Sequence, residues 1–127
     1  IKKQPANKKL LQEILAKKIR LIDYECLTDR KGERVIAFGR FAGIVGAHNG
    51  LMAYGMRTKA FSFPRVHSFS NLNELFNFYK TMKLPDVKIV ITGGGKVAKG
   101  VLEVMEQLGI TKVNSDTFLK DIFKEPV

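Results

Sequence analysis

Cysteine is almost missing from this chain of 127 residues: Cys26 stands alone. One thiol cannot close an internal disulfide, so packing has to hold the fold, and a reducing cytoplasm is the expected setting. Tryptophan is absent, and the two histidines, His48 and His67, have no partner at ligand spacing, so no metal site is expected. No apolar run approaches the roughly 20 residues that span a bilayer, and no signal-peptide pattern occurs, so no membrane partner is expected. Repeats and low-complexity tracts are also missing. Acidic residues are scarce: 12 Asp and Glu stand against 22 Lys and Arg, a net charge of +10. Much of the excess sits in residues 1–20, where seven cations face only Glu13. There Lys8, Lys9, Lys17 and Lys18 flank Leu10, Leu11, Ile14 and Leu15 at helical spacing. That pattern reads as the solvated face of an amphipathic helix rather than a nucleic-acid stripe. The charge would still draw anionic ligands.

What the chain does have is glycine, and the most informative glycines lie in Val87–Gly100, VKIVITGGGKVAKG. A β-branched apolar run leads into three glycines. Val97, Val101, Val104, Met105 and Leu108 then follow at helical spacing, and Gly109 closes the helix. Strand, glycine turn and helix start in that order can hold a pyrophosphate: helix N–H groups point outward, and no Cβ blocks approach. Gly93, Gly95 and Ala98 fit the G-x-G-x-x-G/A spacing, with Gly94 between them. Asp116 lies about 20 residues on, where an acidic side chain accepts from adenosine ribose hydroxyls. It could equally be the N-cap of a short helix over Thr117–Phe123.

The remaining chain reads as alternating helices and strands. A helix is expected over Asn7–Lys18 with Asn7 as N-cap, and a strand over Ile19–Glu25. A polar turn over Thr28–Glu33 is centred on Gly32, and Arg34–Phe38 is a second strand. From Arg40 to Met56 the pattern is helical, with Phe41, Ile44, Val45, His48, Leu51 and Met52 on one side. Gly43, Gly46, Ala47 and Gly50 make this helix small-sided, at roughly 1 kcal/mol per mid-helix glycine. Close approach by another backbone or by a ligand would explain them. His48 reads as a satisfied interior histidine. Thr58–Ser70, with Pro64 and scattered Phe, reads as a loop, and Asn71 with Glu74 as a capping box opening a helix. Thr111–Asn114 is a further short strand. The fold class expected is α/β, Rossmann-like in three αβα layers. The end of one domain would occupy 1–57, a linker 58–70, and the start of a dinucleotide-binding domain 71–127.

Three segments together, IKKQPANKKLLQEIL, IRLIDYECLTDRKGERVIAFGRFAGIVGAHNGL and the glycine strand–turn–helix, resemble the lysine-forming, NAD-dependent saccharopine dehydrogenases and their bacterial relatives. These belong to the alanine dehydrogenase/transhydrogenase superfamily. The resemblance is colinear over nearly the whole chain, and it implies two Rossmann-like domains with the active site between them. It further implies oxidation of saccharopine with NAD and water to lysine, 2-oxoglutarate and NADH. NADP stays open because Lys112 and Lys120 lie near Asp116 in sequence. Gln4, Arg34 and Phe38 match substrate-contacting positions. Gly95 and Lys96 match a glycine–arginine pair at the NAD pyrophosphate, and Asp116 matches the acidic ribose residue. A substrate with three carboxylates suits a fixed arginine. Glu33 stands where some members place an arginine that touches NAD, Lys96 replaces the usual arginine, and Ala98 the third glycine. The family's catalytic lysine and histidine would both precede Ile1. The chain, which starts with Ile inside a basic stretch, is therefore expected to be an internal fragment with no catalytic residue of its own, inactive alone. An alanine dehydrogenase-like enzyme and a non-catalytic nucleotide-binding domain are the rival readings.

Overall fold

The computed structural model describes residues 4–127. The chain divides into a first unit ending at Ala37 and a second, Phe38–Val127.

In the first unit, a 3-10 turn over Pro5–Asn7 leads into α1, Lys8–Ala16. Asn7 is the N-cap position, but its side chain makes no capping bond; its amide donates to Gln4 Oε1 at 3.3 Å instead. The helix is shorter than its pattern because Lys18 turns into the left-handed region, φ 51°. The segment expected as a strand at Ile19–Glu25 ends in a 3-10 turn, Tyr24–Cys26, whose N-cap Asp23 accepts from Glu25 N. One short-range side-chain acceptor explains the next turn. Asp29 Oδ1 takes the N–H groups of Lys31 at 2.8 Å and Glu33 at 3.0 Å, while Gly32 supplies φ 79°. That closes an antiparallel bridge between Thr28 and Arg34, with Val35 N donating to Leu27 O at 2.9 Å.

The second unit is built on α2 (Gly39–Thr58), α3 (Leu72–Thr81), α4 (Lys96–Gln107) and α5 (Ser115–Lys120). Its core is Ile44 and Leu51 from α2, Leu75 and Tyr79 from α3, Val104 and Met105 from α4, and Phe63 from the connection before α3. Fully burying each such aliphatic side chain contributes about 1.5–3 kcal/mol. The segment read as a plain loop thus supplies core: Phe63 is buried and packs edge-on against Phe78 at 5.2 Å. Gly55 is needed there, since a Cβ would come within 2.5 Å of Phe61 O.

The connection expected as a linker at 58–70 is packed against the helices on both sides of it. His48 on α2 reaches Pro64 O at 2.8 Å and Tyr79 Oη at 2.9 Å, so α2, this connection and α3 are one packed body. The histidine is an interior one, fully buried and bonded at both ring nitrogens.

Local signals set the other helix ends. Asn71 Oδ1 accepts from Glu74 N at 3.0 Å, and Glu74 Oε2 reaches back to Ser70 N at 2.8 Å, a reciprocal cap one residue wider than the usual box. At the end of α4, Gly109 has φ 71°. Gly109 N donates to Glu106 O and Ile110 N to Met105 O, both at 3.0 Å, the Schellman pair. The face of α4 is narrower than expected: Val97 is exposed while Val104 and Met105 are buried.

None of the segments expected as strands forms a named strand among the described residues. A ladder needs a neighbouring backbone, and for Val87–Ile91 Val127 is the one partner among the described residues. Ile89 N donates to Val127 O at 2.7 Å and Val127 N to Val87 O at 3.0 Å, the two-bond pattern of a parallel pair centred on Lys88 and Val127.

Candidate functional site

The glycine helix reads more simply once α2 and α4 are seen together. Gly39 lies against Lys96, Gly43 against Val97 and Gly100, and Arg40 against Gly100. Residue numbers rise together along both helices, so α2 and α4 run side by side in the same direction. A Cβ at Gly43 would sit 2.0 Å from Val97 O, and one at Gly100 would sit 2.0 Å from Arg40 O. Both glycines are therefore required by backbone contact, and helix packing rather than a ligand accounts for Gly43. Gly46 and Gly50 face open space. Arg40 locks the pair with a two-pronged bond to Glu103, Nε to Oε2 at 2.8 Å and Nη2 to Oε1 at 2.5 Å.

This packing brings the starts of α2 and α4 together. Phe38 is the N-cap of α2 and Gly95 that of α4. The Cβ position of Gly39 is 3.1 Å from Lys96 Cβ. Phe38 and the Gly93–Lys96 stretch, expected in separate domains, thus belong to one end of one helix pair. Gly93 has φ 89°, a conformation that strains any L side chain. A Cβ on Gly93, Gly94 or Gly95 would meet nothing within 4 Å, so the turn is open to approach. No side chain caps α4, and its first turn carries no acidic residue. An uncapped helix start offers its first N–H groups and the positive end of its dipole to an anion. A dinucleotide pyrophosphate fits that donor set.

Asp116 lies in the first turn of α5, exposed. The cap is Asn114, whose Oδ1 accepts from Thr117 N at 2.8 Å. The alternative in which Asp116 caps the helix is thereby removed. The helix also begins at Ser115 and ends at Lys120 rather than running from 117 to 123. Its first turn borders a hollow of about 310 Å³, walled by Ile89, Ile91, Met105, Ile110, Val113 and Phe118.

Gln4 and Arg34 belong to the first unit. Gln4 is exposed and holds Asn7. Arg34 Nη1 lies 3.8 Å from Glu25 Oε1, each side chain more than half exposed; such a pair is worth little and leaves the guanidinium able to exchange partners. Phe38, in the second unit, is 67% exposed. Among the described residues no group of His, Cys, Asp or Glu could hold a metal ion, and no helix is long and apolar enough to cross a membrane. Sequence reasoning missed Gly39 and Gly100. The signal for Gly100 was present, a glycine inside a helix that Gly109 already terminates.

No family model matches the chain. It is 33% identical over 126 residues to the mitochondrial alpha-aminoadipic semialdehyde synthase of Mus musculus, covering 85% of this chain and 14% of that protein. The Bos taurus protein of the same name is 34% identical over the same shares. The lysine-forming, NAD(+) saccharopine dehydrogenase of Yarrowia lipolytica is 33% identical over 111 residues, 74% of this chain and 28% of that one. The chain spans about a seventh of the mammalian relatives. Over most of its own length, therefore, it is similar to proteins named as saccharopine dehydrogenases and aminoadipic semialdehyde synthases.

Proposed function

We propose that this chain is part of an NAD-dependent saccharopine dehydrogenase of the lysine-forming kind. In that reading it joins a substrate-facing segment to the opening of a Rossmann-like, dinucleotide-binding α/β domain, and the whole protein works in lysine metabolism. The observation that carries the reading is the parallel α2–α4 pair, which puts Phe38 beside Lys96 and the Gly93–Gly95 turn. The Lys88–Val127 pairing, parallel in its bond pattern, supports the sheet that such a domain requires.

In this assignment the N–H groups at the start of α4 take the pyrophosphate, and the Lys96 ammonium adds charge without the fork of an arginine. The Asp116 carboxylate accepts from the ribose hydroxyls, which favours NAD over a 2′-phosphorylated cofactor. Arg34 exchanges Glu25 for a substrate carboxylate, Gln4 hydrogen-bonds the substrate, and Phe38 covers its apolar stem and keeps water out. When bound, the cofactor supplies the hydride acceptor, and the protein supplies orientation and electrostatics. This reading assigns no acid–base group among these residues, so the 127 residues alone are not expected to turn over.

The test is NADH formation by the whole protein with saccharopine and, separately, with alanine. Saccharopine-dependent turnover that falls in Arg34→Ala is expected. Turnover with alanine alone would replace the proposal by an alanine dehydrogenase-like activity. Full activity in a preparation whose intact mass equals this chain would overturn the division of the site.

A further inference from the structure

Beyond the residues that face the cofactor in this reading, one side chain is placed to decide where Asp116 sits. Lys88 lies on the extended run that leads to Gly93. Its ammonium donates to two carbonyls at the far end of α5, Phe118 O at 2.5 Å and Asp121 O at 2.8 Å. It also lies over the rings of Phe118 and Phe123, 5.1 and 5.2 Å from their centroids. Lysine at a helix C-terminus satisfies carbonyls that have no partner in the helix and opposes the negative end of the dipole.

α5 needs such an anchor. Its six residues, Ser115–Lys120, bury none of their number, and a helix this short does not hold itself together in water. Apart from Asn114 at its start, the polar ties of α5 among the described residues run through Lys88. Ile89 and Ile91, on the same run as Lys88, wall the hollow that Asn114, Ser115 and Phe118 also line. Through Lys88, then, the far end of α5 is tied to the run that leads to the glycine turn.

We propose that Lys88 is a positioning residue of the dinucleotide site: by clamping the C-terminal end of α5 to the glycine-bearing run, it sets the Asp116 carboxylate at the ribose. This rests on the ribose role of Asp116 given above. Lys88 itself touches no cofactor atom in this scheme. Because its side chain is exposed, neutralising it leaves the core intact.

The experiment is a double-mutant cycle on NADH affinity in the whole protein, read by fluorescence titration, with amide hydrogen exchange of α5 followed in the same variants. Lys88→Met is expected to weaken NADH by roughly five- to tenfold, the scale of one charge-assisted hydrogen bond. It should also speed exchange at Phe118, Leu119 and Asp121. Lys88→Arg restores most of the affinity, since a guanidinium also donates to carbonyls. In an Asp116→Asn background, Lys88→Met should cost nothing further. An equal loss from Lys88→Met in both backgrounds, or unchanged NADH affinity in Lys88→Met alone, overturns the positioning role while leaving the ribose role standing. An Asp116→Asn protein that binds NADH like the wild type overturns the ribose role itself, and the proposal with it.

Discussion

Tyr79→Phe removes a single oxygen from the centre of the second unit, and its effect follows from the tautomer of His48. Pro64 O can only accept, so His48 Nε2, 2.8 Å away, carries the proton and donates. Nδ1 is then the bare nitrogen and accepts from Tyr79 O–H at 2.9 Å. Both side chains are fully buried, with Phe63 and Phe69 against the imidazole. Phenylalanine keeps the packing and leaves Nδ1 without a donor, which costs about 1–3 kcal/mol. For a chain of this size that is a fall in melting temperature of about 3–6 °C per kcal/mol.

The same geometry fixes a pH dependence. Burial pushes the His48 pKa below its usual 6.5, only partly opposed by the Pro64 bond. A second proton would go to Nδ1 and face a hydroxyl that now donates to it. The unfolded chain therefore binds a proton that the folded chain refuses. Stability from this group is fully present above pH 6.5 and is lost as pH falls toward the folded-state pKa, by up to about 1.4 kcal/mol between pH 7.5 and 5.5. Urea unfolding at both pH values, for the wild type, Tyr79→Phe and His48→Gln, measures both effects. His67 is common to all three proteins, so the difference between wild type and His48→Gln isolates His48. A Tyr79→Phe protein as stable as the wild type, or a His48→Gln protein with the same pH dependence, would refute the assigned tautomer and clasp.

Further outcomes follow from contacts elsewhere in the second unit. Gly43→Ala and Gly100→Ala each put a Cβ 2.0 Å from a backbone oxygen, so each should destabilise by about 1–3 kcal/mol or more by forcing α2 and α4 apart. Gly46→Ala, which meets nothing, should instead stabilise by up to about 1 kcal/mol in the same denaturation assay. Asn71→Ala removes the acceptor for Glu74 N and should cost about 1 kcal/mol, whereas Asn71→Ser should recover most of it. Gly93→Ala should lower stability through its positive φ and weaken NADH in the whole protein, because the added Cβ enters the open turn.

What was legible in the residues was whatever depends on near neighbours in sequence. The Asn71–Glu74 cap, the turn at Gly32 and the Gly109 termination of α4 each close within a few residues, so composition alone points to them. His48 was legible as an interior histidine because it shares a face with Ile44 and Leu51. The sheet was not. Val87–Ile91 has strand composition, but a ladder is a property of two segments, and among the described residues it pairs with Val127 alone. The packing of the 58–70 connection was not legible either, since a phenylalanine in an irregular stretch gives no sign of whether it is loop or core, and Phe63 is core.

The sequence by itself determined the four longer helices, the cap at Asn71, the stop at Gly109 and the glycine turn, because propensity, capping and positive φ act over one or two turns of chain. Only the tertiary structure decided that Gly43 and Gly100 serve each other and that Lys88 holds α5 by its far end. It also brought Phe38 and Lys96, far apart in the chain, to one end of a helix pair. The reason is physical: a backbone contact or a hydrogen bond between distant residues depends on where packing leaves each backbone, and no local pattern carries that information.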